Sequence, residues 1–120
     1  MAGRDVIFGE ELRAKRLECG HTLRKFAAIV GVSPTYLSQV EQGNIDPPTA
    51  DRVTEMAKLL GADVDEWIAL AGRVPNDLPA IIQQDPKQIP ELLRELSGLT
   101  PAQLKQLTSQ ARRMKGKGNS

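Results

Sequence analysis

The chain has 120 residues, 40% of them apolar but only four aromatic, so Ala, Leu, Ile and Val must pack one small helical domain with room for an appended segment. No apolar run approaches the roughly 18 residues of a membrane span or forms a leader, and a lone Cys19 excludes an intrachain disulfide, which together predict a soluble cytoplasmic protein. Net charge is +1, unevenly split: residues 1–72 carry eight Lys/Arg against eleven Asp/Glu, and residues 73–120 eight against four, so any polyanion partner of the first part depends on local basic placement.

The punctuation divides the chain into short helices. A first periodic run over 7–19, with Ile7, Phe8, Leu12 and Leu17 apolar, ends at Gly20. Thr22 caps a second, 23–30, which Gly31 stops. Ser33-Pro34 opens a third, a capping hydroxyl followed by proline in the first turn, and Gly43 ends it after Gln42. Beyond the turn Asn44-Ile45-Asp46-Pro47-Pro48, Thr49 starts a fourth helix that ends near Gly61. Asp63 and Glu66 resemble a capping box for a fifth, to about Ala71.

Gly72-Arg73-Val74-Pro75 marks a boundary. Past it Leu78, Ile81 and Ile82 form a short apolar stripe, and Asp85-Pro86 and Thr100-Pro101 open two further helices. Ile89, Leu92, Leu93 and Leu96 recur at helical spacing, as do Leu104, Leu107, Ala111 and Met114. Residues 115–120 read as a disordered tail. No strand-like alternation competes, so the fold class is all-α: five helices over 7–72, then a helical extension over 73–114.

Residues 23–42 carry the strongest signal. Two short helices meet at a glycine turn; Ala27 is small where they approach, Gly31 supplies the left-handed conformation, and Val32 plugs the turn. On a helical wheel of 33–42, Leu37, Val40 and Tyr36 share one arc, with Glu41 at its edge. Pro34, Thr35, Ser38, Gln39 and Gln42 fill the opposite arc. That outer arc is short, uncharged and rich in hydrogen-bonding groups, which suits base edges in a major groove: Gln pairs with adenine, and Thr or Pro touches a thymine methyl.

Here the sequence resembles the DNA-binding domain of the phage repressor and Cro type, the XRE family, over residues 7–71. The resemblance rests on Phe8, Leu12, Arg13, Arg16, Leu23, Phe26-Ala27, Gly31-Val32-Ser33, Tyr36-Leu37, Val40-Glu41 and Gly43, with Pro48, Ala57, Leu60 and Trp67 further on. It implies a five-helix helix-turn-helix fold, a pairing of Arg16 with Glu41 that braces the recognition helix, base contacts from Pro34, Thr35, Ser38 and Gln39, and phosphate contacts from Thr22, Arg24, Tyr36, Gln42 and Asn44. Pro34 stands where relatives that read bases often have Gln or Arg, so one direct reader is missing from the pattern.

Other features predict less. His21 and Cys19 flank a turn without a metal-ligand set, and Trp67 reads as core. No nucleophile–base constellation, phosphate-cradling loop or carboxylate cluster suggests an enzyme, and no cofactor or metal is implied. The stripes Ile89, Leu92, Leu93, Leu96, Leu104 and Leu107 exceed what a five-helix domain needs and predict an interface. The reading is a sequence-specific transcription regulator of double-stranded DNA, a homodimeric repressor with an inverted-repeat operator. Its alternative is an antitoxin or protease-controlled regulator whose C-terminal helices bind a toxin or peptidase.

Overall fold

The computed structural model describes residues 4–118. Among them are eight helices and no strand: α1 (Arg4–Glu18), α2 (Leu23–Val30), α3 (Pro34–Gln42), α4 (Ala50–Leu60), α5 (Val64–Leu70), α6 (Leu78–Gln84), α7 (Gln88–Leu96) and α8 (Pro101–Gly118). The chain divides between Leu78 and Pro79 into two compact units.

Local chemistry sets the ends of the helices in the first unit. Thr22, Ser33 and Asp63 each accept a hydrogen bond from the backbone N–H three residues on, satisfying a donor that the first helical turn leaves open. Thr49 occupies the same position before α4 but makes no side-chain cap bond. At the far ends Gly31, Gly43 and Gly61 take positive φ. At Gly43 this lets the following N–H of Asn44 reach back to the Gln39 carbonyl at 3.0 Å, closing the last turn of α3.

One core serves α1 to α5. Phe8 and Leu12 of α1, Phe26 of α2, Leu37 of α3, and Val53, Met56 and Ala57 of α4 have no exposed surface, and Val40 only 1%. Trp67 of α5 closes this core edge-on to Phe8, with ring centroids 5.8 Å apart at 81°. Ile7 and Leu17, apolar members of the first sequence run, instead lie exposed at 44% and 52%. Of these four apolar residues, the rotation of side chains about α1 turns only Phe8 and Leu12 inward, four residues apart.

The first unit runs past the glycine boundary expected from sequence. Arg73 donates from Nε to the Pro48 carbonyl at 3.1 Å and from Nη2 to the Pro47 carbonyl at 2.6 Å. Asn76 donates to the Asp51 carboxylate. These bonds fasten residues 73–76 to the loop between α3 and α4 and to the start of α4.

The second unit is built differently. In α8, Thr100 and Gln103 cap each other reciprocally, Gln103 N–H to Thr100 Oγ1 at 3.1 Å and Thr100 N–H to Gln103 Oε1 at 3.0 Å. Asp85 accepts from the N–H groups of Lys87 and Gln88 at the start of α7. Yet no residue from 79 to 116 is buried. The helix α8 also continues through residues 115–118, where the sequence suggested a disordered tail; only Gly116 and Gly118 oppose helix there, at about 1 kcal/mol each, while Lys115 and Lys117 favour it. Residues 119 and 120 of that expected tail lie outside the described residues.

Candidate nucleic-acid interface

The interface is built on α2, the turn Gly31–Ser33 and α3. Gly31 has φ of +84°, and both its N–H and that of Val32 reach the Ala27 carbonyl at 2.9 Å, which reverses the chain within three residues. Val32 folds back, half-buried, against the core. From α4, Arg52 donates to the Val30 carbonyl at 2.9 Å and caps the open end of α2. Nothing local in the sequence marks Arg52 for this task, because its partner lies 22 residues away.

Helix α1 fixes α3 from behind by two devices. The first is a close approach at Gly9: a methyl group built there would lie 2.4 Å from the Val40 carbonyl oxygen and 2.5 Å from that of Glu41. Only a residue without a Cβ lets α1 lie against the backbone of α3 at this point. Gly43 is met the same way by Val6. Nothing local marks Gly9 in the sequence, since a glycine inside a helix has no signature of tight packing.

The second device is electrostatic. Arg16 of α1 meets Glu41 of α3 through two parallel bonds, Nε to Oε2 at 2.7 Å and Nη2 to Oε1 at 2.9 Å. Its remaining nitrogen Nη1 donates to the His21 carbonyl at 2.9 Å. Both residues are buried, at 5% and 7% exposure. Hydrogen bonding to Glu41 raises the Arg16 pKa above its ordinary value, outweighing the opposing effect of burial. A bidentate pair with every polar atom occupied is the geometry in which a buried ion pair holds an orientation.

With its inner side held, α3 turns a polar side outward. Pro34 and Thr35 are exposed in its first turn; Ser38 and Gln39 are half-exposed; Gln42 and Asn44 are exposed. Four of these side chains are joined. Gln42 Nε2 donates to Ser38 Oγ, and Asn44 Nδ2 donates to both Gln39 Oε1 and Gln42 Oε1, each at 3.0 Å. The network links residues that the family resemblance assigns to bases (Ser38, Gln39) with residues it assigns to phosphates (Gln42, Asn44). Gln39 retains its two amide hydrogens and a lone pair for a further partner.

The remaining residues named from sequence sit around this face. Thr22 is exposed, its Oγ1 accepting from the Lys25 N–H at 3.2 Å, which leaves the hydroxyl proton free to donate. Arg24 is exposed in the first turn of α2. Tyr36 is half-buried and packs against the core. In the second unit, Leu92, Leu96, Leu104 and Leu107 line one apolar groove with Ala111 and Met114. Ile89 and Leu93, named with them from sequence, are not in its lining.

No helix among the described residues is long and apolar enough to cross a membrane. No curated protein matches the chain. A family model described as a helix-turn-helix domain matches residues 7–70. Two crystal structures of the clp gene regulator ClgR from Corynebacterium glutamicum are similar to it. One is 30% identical, with 60% of this chain and 92% of that chain covered and a TM-score of 0.51. The other is 27% identical, with 79% and 92% covered and a TM-score of 0.52. The matched span takes in α2, the glycine turn and α3 as well as the helices that hold them, and with it this chain belongs to the helix-turn-helix family of phage repressor and Cro type, the XRE family of DNA-binding transcription regulators.

Proposed function

We propose that the protein is a homodimeric cytoplasmic repressor that reads an inverted-repeat operator by laying the outer side of α3 in the major groove. The observation that carries this reading is the linked set Ser38, Gln39, Gln42 and Asn44, polar groups held in register on the exposed side of a braced helix. Gln39 reads a base edge, with Ser38 beside it and Pro34 and Thr35 against thymine methyl groups. Thr22, Arg24, Tyr36, Gln42 and Asn44 hold the backbone and set the register. Arg16 and Glu41 keep α3 at the angle this requires.

Replacing Gln39 by alanine tests the assignment. Affinity for a selected operator should fall by about 1–3 kcal/mol, with preference relaxed at one base position. Binding to random duplex should barely change. Equal losses on both DNAs, in a protein with unchanged circular dichroism, would remove Gln39 from base reading.

The dimer is supported by the second unit. It holds no buried residue from 79 to 116, while Leu92, Leu93, Leu104, Leu107 and Met114 are 38–68% exposed. Two amphipathic helices with one uncovered groove become a packed layer when a second copy covers it, and four helices then share one core. Half-sites then lie about one helical turn apart, roughly 10–11 base pairs. A chain ending at Leu78 keeps the bonds of Arg73 and Asn76 and should fold, sediment as a monomer and bind a full operator much more weakly than the intact chain. A truncated chain that stays dimeric with full affinity moves the interface into α1–α5.

The same exposed groove also favours a second reading, in which α7 and α8 take another protein such as a toxin or peptidase. Sedimentation of the pure intact chain separates the two. A dimer supports the first, and a monomer the second.

A further inference from the structure

Helix α8 has two unlike sides. Leu104, Leu107, Ala111 and Met114 line the groove shared with α7. Lys105 and Arg112, about two turns apart, stand away from that stripe with Arg113 beside them, and all three are exposed. Between Pro101 and Gly118 the sequence has five Lys/Arg and no Asp or Glu. These cations therefore have no acidic neighbour one turn away, and among the described residues none forms an ion pair. A solubilising surface mixes both signs. This one does not.

The imbalance runs the other way in the rest of the chain, where residues 1–72 hold eleven acids against eight bases. A domain of that charge gains little of the counterion-release affinity that normally underlies DNA binding. We propose that the outer side of α8 is a second DNA contact, in which Lys105, Arg112 and Arg113 meet backbone phosphates of the duplex that α3 engages, without regard to sequence. Tethering to a DNA-bound unit raises the local phosphate concentration at α8 far above that of the solution. A membrane surface fits less well: α8 has no aromatic residue to seat at the headgroup level. The proposal rests on DNA binding by the helix-turn-helix, and is independent of which bases α3 reads.

The test uses the full chain carrying Lys105→Gln, Arg112→Gln and Arg113→Gln, titrated against a labelled random duplex and a selected operator across a range of salt. Each lost phosphate contact lowers the slope of log K against log salt by about 0.9, so a fall of two to three units per chain is expected. Both DNAs should weaken alike. A chain with Arg112→Lys and Arg113→Lys should keep the parent slope, because charge rather than fork geometry is what phosphate counterions respond to. Helicity and sedimentation of each variant are compared with the parent; should the triple variant lose helix, Arg112→Gln alone reads the same quantity, about one unit of slope. An unchanged slope in a folded variant of parental oligomeric state overturns the proposal, all the more if binding to phosphatidylserine vesicles is lost instead. If the parent itself binds neither DNA, the helix-turn-helix reading fails first, and the two failures are told apart.

Discussion

Gly9→Ala should lower the stability of the first unit by about 3 kcal/mol, even though alanine favours a helix interior by about 1 kcal/mol over glycine. The added methyl would sit 2.4 Å from the carbonyl oxygen of Val40, and its neighbours are backbone atoms of a helix, which cannot swing aside as a side-chain tip can. Helices α1 and α3 must separate, and overpacking of this kind costs 1–3 kcal/mol or more before the strain on the Arg16–Glu41 pair is added. For a domain of this size a loss of about 3 kcal/mol lowers the melting temperature by roughly 12 °C or more. Gly9→Val should be worse, leaving little folded protein. A thermal melt decides: an alanine variant as stable as the parent would mean that α1 does not approach α3 so closely.

Arg16→Met should cost a similar amount, about 3–5 kcal/mol, for an unrelated reason. It leaves the Glu41 carboxylate buried with no cation and takes the donor from the His21 carbonyl. The double change Arg16→Met with Glu41→Leu should recover much of the loss, because two apolar side chains of matching size remove the unpaired charge as well as the bond. Operator binding should recover less than stability does, since a greasy contact fills the space without fixing the angle of α3. Simple additivity of the two substitutions in melts would show that the residues do not act together.

Much of this geometry was legible in the sequence because it rests on short-range chemistry. Thr22, Ser33 and Asp63 announce helix starts, Gly31, Gly43 and Gly61 announce stops, and each acts on neighbours within a few residues. The outer side of α3 was legible for the same reason, through the alternation of Leu37 and Val40 with Ser38 and Gln39. What stayed hidden depends on partners far along the chain. Gly9 is tight only against Val40 and Glu41, Arg52 acts at Val30, and Arg73 acts at Pro47 and Pro48. The network through Asn44 was hidden too, since the resemblance implies separate tasks for its members. In the extension, periodicity found the apolar stripes but could not say that Ile89 and Leu93 would miss the groove, because its lining depends on how α7 and α8 face each other.

The placement of the aromatic residues has an optical consequence. Phe8, Phe26, Tyr36 and Trp67 all belong to the first unit, and residues 79–120 contain none. Trp67, 4% exposed against the ring of Phe8, is the chain's only indole, so its emission follows the packing of α1 to α5 and is blind to the loss of α7 and α8. Far-ultraviolet dichroism sums the helices of both units. The difference between those two signals is thus a built-in reporter of the extension, needing no added dye and no substitution.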